Sequence, residues 1–176
     1  MKGNYSSLKE LALEVERIEQ SKEDYVTTGK GIMMINDDTL AIGDKGSFVM
    51  TEYAHSQLAE KLSIPKRYYD DIAKIPNLRT INVNELIRHN EKSGYMVRTL
   101  DSKARAVLSN SFRPIDNYDV LMASLPAIKD LDVSIKSCSL TDKKMYLQIV
   151  SPRLQFEVKK GDVVQWGFVM SNSEIG

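Results

Sequence analysis

Histidine, cysteine and tryptophan are nearly missing from this sequence, which holds two, one and one of them in 176 residues. Each shortage removes a class of chemistry. Cys138 has no second thiol to pair with, so an internal disulfide is excluded, and together with His55 and His89 it offers too few ligands, at unlike spacings, for a zinc site. The sequence has no Gly-Lys-Ser phosphate loop, no GxGxxG after a strand, no GxSxG elbow and no HExxH helix, so the common nucleotide-binding, hydrolase and zinc-protease frameworks have no basis in it. No apolar run approaches the ~20 residues of a membrane span, and the first twenty residues are charged rather than secretory, which makes a cytoplasmic address without membrane contact the expectation. Linkers rich in Gly or Ser, internal repeats and low-complexity tracts are lacking too. Residues 1–176 are therefore read as a single domain.

What is present is ordinary globular composition, 42% hydrophobic and 27% charged, in a chain long enough to bury a core. The formal net charge is zero, but it is unevenly spread. Residues 1–60 carry six basic and eleven acidic side chains, residues 61–113 eleven and five, and residues 114–176 seven and eight. The basic middle third is the sequence form of an anion-binding face.

Ser7 and Glu10 have the spacing of a capping box, and Leu8, Leu11, Val15 and Ile18 recur on one face, which predicts a first helix whose narrow stripe suits docking on the domain, the commoner outcome, or pairing with another chain. The β-rich runs DYVTT, GIMMI, TLAIG and SFVM predict a small antiparallel meander, with Asp37 and Asp38 supplying turn chemistry. Thr51 as a cap, with Ala54, Leu58 and Leu62 on one face, predicts a helix over 52–62. Pro65 opens a second, PKRYYDDIAK, and Asn82 caps a third over 83–91. Residues 95–100 and 104–109 alternate around Asp101, Ser102 and Lys103 as a hairpin, and Asp116 caps the helix NYDVLMASL. Beyond Pro126, four runs (DVSIKSCS, KMYLQIVS, RLQFEV and VVQWGFVMS) are expected as consecutive antiparallel strands, Gly161 making the last turn. Val164, Trp166, Phe168 and Met170 then share one core-facing side, and Cys138 is a buried strand residue. The fold class is α+β, an antiparallel sheet partly covered by short helices.

Three segments carry a further signal: LSIPKRYYDDI at 62–72, GYMVRTLDSKARAVLSNSFRPIDNYDVL at 94–121 and GDVVQWGFVMSNSEIG at 161–176. They resemble the phage/plasmid-like protein family, domain of unknown function 932, carried by prophages, plasmids and genomic islands. The resemblance takes in most of the chain and implies a mobile-element setting. It supplies no catalytic residue, because the family has no settled activity. Members generally continue past the matching part, so the resemblance also implies that this chain is the N-terminal part of a longer protein.

Asp70 and Asp71 are adjacent and point to different parts of a helix surface, a poor arrangement for joint acid and base work, and His55 and His89 read as surface or boundary residues. A non-enzymatic protein without cofactor or metal is expected. The basic third interleaves cations with rings: Lys66, Arg67, Tyr68 and Tyr69 in one helix, Arg98, Lys103 and Arg105 in the hairpin, and Phe112 with Arg113 in the loop, where Ser109, Asn110 and Ser111 add donors. Phosphates are bound by cations and bases by flat rings, so the pattern points to nucleic acid, single-stranded DNA first. The same side chains also have structural roles open to them, the tyrosines in a helix core and the arginines paired with acidic neighbours. Two other functions stay open. One is a protein-interaction module acting on a host defence protein through the acidic first helix or a sheet edge; the other is a hydrolase or nuclease whose site is completed by the further C-terminal residues that the resemblance implies. A positive groove marks the first reading, an exposed apolar patch the second, and converging carboxylates the third.

Overall fold

The computed structural model describes residues 3–131 and 133–176; Met1 and Lys2, and Asp132 at the head of the expected run DVSIKSCS, lie outside the described residues. In chain order the elements are β1 (Gly3–Tyr5), α1 (Leu8–Ser21), β2 (Lys22–Thr28), a 3-10 turn (Gly29–Gly31), β3 (Ile32–Asn36), β4 (Thr39–Ile42), β5 (Gly46–Met50), α2 (Glu52–Lys61), α3 (Lys66–Ile72), α4 (Leu78–His89), β6 (Gly94–Leu100), β7 (Lys103–Ser109), α5 (Asn117–Asp130), β8 (Ser134–Leu140), β9 (Met145–Lys159) and β10 (Asp162–Asn172). This is an α+β fold with two mostly antiparallel sheets. Contacts divide it into two compact units, Ser21–Arg113 with Ile175, and Met1–Gln20 with Pro114–Glu174 and Gly176. The sequence marks neither crossing. Helix α1 runs directly into β2, and the Arg113-Pro114 crossing lies in a short polar loop rather than a linker.

The unit built on Ser21–Arg113 has a six-stranded sheet in the order β2-β6-β7-β5-β4-β3, in which only β5 and β7 run parallel. Strands β3, β4 and β5 are the expected meander. Strand β2 is not part of it: it pairs with β6 at the other edge, Asp24 opposite Arg98. Five strand spacings put the edges of a flat sheet about 24 Å apart, whereas the link from Thr28 to Ile32 reaches about 14 Å. The sheet must therefore curl. Its edges meet at the C-terminal end of α4, where the Gly29 N–H donates to Ser93 O at 3.0 Å and a Cβ on Gly29 would lie only 2.9 Å from Glu91 Cα. Leu40, Leu58, Tyr69, Val83, Ile87, Tyr95, Val97 and Val107 are part of the core between sheet and helices. The β6–β7 turn places Asp101 (φ 49°) and Ser102 (φ 62°) in the left-handed region, as a two-residue hairpin turn requires.

Thr51 caps α2 as expected, its Oγ1 accepting from Ala54 N at 3.2 Å, and Pro65 precedes α3. Helix α4 begins at Leu78, a turn before the expected start, because its cap comes from another element. The Asp37 carboxylate in the β3–β4 turn accepts from Asn77 N (3.2 Å), Thr80 N (2.9 Å) and Thr80 Oγ1 (2.8 Å). Asn82, read as the cap, sits inside the helix and donates to Leu78 O. Burial pushes the Asp37 carboxyl up, but these donors and Arg79 outweigh it and hold it below the usual carboxylate range.

In the other unit, α1 buries Leu11, Val15 and Ile18, and Ser7 Oγ accepts from Glu10 N at 3.2 Å. The Glu10 carboxylate completes the cap on Ser6 rather than Ser7. Helix α5 continues through Pro126 to Asp130, past its expected end, since a proline removes its own N–H but leaves the next residues free to bond, as Leu131 N does to Ala127 O. At its start the Asn117 N–H is met by Glu174 Oε1 at 2.8 Å, and Asp116 makes no side-chain cap. The antiparallel sheet β1-β8-β9-β10 fuses two expected runs into one strand, β9, across Pro152.

Candidate functional site

The structure divides the sequence-predicted contact residues. Arg67 is 96% exposed at its side chain, and its neighbour Tyr68 is 49% exposed. Lys103 and Arg113 are exposed and Arg105 is half-buried. Tyr69 and Arg98, by contrast, are buried and leave no surface for a ligand. Arg98 Nε donates to Asp24 Oδ1 at 2.7 Å across the β2–β6 ladder, and Tyr69 packs into the core with its hydroxyl on His55 Nδ1 at 2.7 Å. Several other cations of the basic third are matched locally. Lys66 pairs with Asp70, Lys74 with Asp71 at 2.7 Å, Arg88 with Glu85 at 2.5 Å, and Arg67 lies 4.0 Å from Asp71. Arg113 turns Nη1 onto the carbonyls of Asn110 and Phe112. Part of the segregated charge of the sequence is thus matched locally.

A polar cluster the sequence did not assemble lies beneath α3. His55, read as a surface or boundary residue, is 3% exposed: it precedes Leu58 by three and Ala59 by four, so it falls on the buried face of α2. Arg79 bridges the β3–β4 turn, donating to Asp37 O and to Asp38 Oδ1 (2.8 Å), with its guanidinium 5.1 Å from the Tyr69 ring centre. Burial first, then the Arg79 charge, lowers the His55 pKa to about 4, so the imidazole is neutral at pH 7 although Asp38 lies 4.0 Å from Nε2. Burial likewise drives the Tyr69 phenol well above its ordinary value. A neutral imidazole, a protonated phenol and an engaged guanidinium hold a turn against α4. Among the described residues no three His, Cys, Asp or Glu converge to hold a metal ion, and no helix is long and apolar enough to cross a membrane.

The other distinctive surface is the outer half of β9–β10. From Met145 to Ser151 alternate residues of β9 are buried; from Pro152 to Lys159 every residue is exposed, as are Asp162–Val169 of β10. Pro152 lies in a break of register, where Gln165 opposite Gln155 gives way to Gly167 opposite Val150. A Cβ on Gly167 would sit 2.4 Å from Ile149 O, so only glycine lets the strands close there. The break shifts the apolar positions of β9 from odd numbers (Met145, Leu147, Ile149) to even ones (Leu154, Phe156, Val158), while β10 keeps Val164, Trp166, Phe168 and Met170 in step. One apolar face therefore runs unbroken from the buried base onto the exposed ribbon. The expectation that Val164, Trp166 and Phe168 are core residues is corrected: they are 41%, 54% and 37% exposed. The Trp166 and Phe168 rings stand 6.1 Å apart, tilted by 58°.

No family model, no curated protein and no solved structure matches this chain. Replacing Arg98 by Ala should lower stability by roughly 1.5–3 kcal/mol in chemical denaturation, because a buried arginine and its charge-assisted hydrogen bond to Asp24 are lost. Arg67→Ala should change it by less than about 0.5 kcal/mol. Equal effects of the two would contradict this division into a structural and a surface arginine.

Proposed function

We propose that this chain is a protein-interaction module whose contact surface is the apolar face of the β9–β10 ribbon. The observation that carries the reading is the row of six large apolar side chains on that face, Leu154, Phe156, Val158, Val164, Trp166 and Phe168, each between 37% and 64% exposed. Together they leave on the order of 600 Å² in water, at the upper end of the roughly 300–600 Å² of the largest patch on an ordinary monomer and approaching the ~800 Å² one partner brings to a standard interface. An isolated two-stranded ribbon is marginal in water, so a cover also stabilises the ribbon itself. Trp and Phe at its centre belong to the aromatic class enriched in interface cores. The mobile-element setting and a host protein as partner enter this proposal through the resemblance to the phage/plasmid-like family, and the cytoplasmic address through the charged first twenty residues and the lack of a long apolar run.

The test is binding of the hydrophobic dye bis-ANS in dilute solution. The natural chain should bind it, and the double variant Phe156→Lys with Trp166→Lys should bind several-fold less with an unchanged far-ultraviolet circular dichroism spectrum. Equal dye binding by the two proteins would reject the ribbon as the contact surface.

A second reading, single-stranded DNA binding, is favoured by the adjacent, exposed Arg67 and Tyr68 on α3, with Lys103 and Arg113 also in water. Fluorescence anisotropy with a labelled oligonucleotide across a salt series decides it. Each neutralised phosphate adds about −0.7 to the log–log slope, and Arg67→Ala with Lys103→Ala should flatten it. Absence of binding at low salt rejects this reading.

A further inference from the structure

We infer that the occupant of the ribbon is a second copy of this chain, the two apolar faces packed against each other about a two-fold axis. The inference rests on the reading of the ribbon as a protein-contact surface. Two such faces remove on the order of 1,200 Å² from water, which reaches the lower bound of the roughly 1,200–2,000 Å² of a stable specific interface, so one further copy suffices.

Charge points the same way. None of the six face residues is charged, and the rest of the ribbon carries both signs, Arg153, Lys159 and Lys160 against Glu157 and Asp162. A two-fold contact must be self-complementary, because every residue meets its own surface on the partner. A face without charge meets that condition, and Arg153 and Glu157 stand at odd positions of β9, Glu157 opposite Val163, on the other side of the ribbon and away from the contact. The relief of the face is also suited to itself. Bulky Phe156 stands opposite the smaller Val164, and sheet faces pack about 10 Å apart by interleaving large and small side chains.

Sedimentation equilibrium of the natural chain, at about 100 μM and in a dilution series, should give twice the chain mass at the top and dissociation below. Phe156→Lys with Trp166→Lys should give the single-chain mass throughout. Should that variant lose its circular dichroism spectrum, Val158→Lys, whose site is 55% exposed, carries the comparison. Trp166 is the only tryptophan, so acrylamide quenching of its fluorescence separates the remaining outcomes. A monomer whose Trp166 is freely quenched overturns the second copy but leaves the ribbon open to another protein. A monomer whose Trp166 is shielded overturns both the inference and the interaction reading. A dimer that survives the lysine substitutions places the contact elsewhere and overturns the inference alone.

Discussion

An apolar sheet face has to leave water, and the two sheets of this chain meet that constraint unequally. The six-stranded sheet curls until its edges meet near the end of α4, and Leu58, Tyr69, Val83 and Ile87 from the helices fill its concave side. The four-stranded sheet satisfies the constraint only at its base, where Met145, Leu147 and Ile149 are fully buried. Past Pro152 the same alternation continues with nothing over it. The sequence maintains the apolar face through a break in register, which costs two parallel adjustments, a parity shift on β9 and a glycine on β10. A face kept so carefully is part of the protein's surface chemistry, and its uncovered length accounts for the functional reading.

Electrostatics, which dominate the sequence, contribute less once the chain is folded. Of the eleven basic residues between 61 and 113, Lys66, Arg67, Lys74 and Arg88 pair with carboxylates one helical turn away, and Arg79 and Arg98 reach Asp38 and Asp24. Exposed pairs of this kind are worth about 0–1 kcal/mol each, so they do not build the fold. The Arg98–Asp24 pair is different, since the arginine is 2% exposed while Asp24 keeps 28% of its side chain in water, so loss of the carboxylate would leave a buried guanidinium without this partner. The cluster of His55, Tyr69, Arg79 and Asp38 is likewise structural in effect: it ties a β-turn to a helix start, with the His55 imidazole and the Tyr69 phenol held in the neutral forms that suit burial.

Local signals were legible in the sequence. Ser7 and Thr51 cap the helices they announce, Pro65 opens α3, and the Asp101–Ser102 turn joins the hairpin read from alternation. Signals that reach across the chain were not. The start of α4 is set by Asp37, forty residues away, so Asn82 drew the boundary to the wrong turn. Nothing local tells β2 to leave the meander for β6. Periodicity correctly grouped Val164, Trp166 and Phe168 on one face, yet a period says which residues look the same way and not what they look at. The same limit applied to Tyr69 and Arg98, whose residue types suit a ligand and whose positions place them inside.

The central claim is that the ribbon face is a contact surface occupied by a second copy, and hydrogen exchange followed by mass spectrometry tests it most directly. Peptides covering residues 153–159 and 162–169 should exchange slowly in concentrated protein and progressively faster on dilution, while peptides from the six-stranded sheet stay constant. Exchange in the ribbon that is fast and independent of concentration would contradict the account, because a face left open in concentrated solution is not one that a copy of this chain covers.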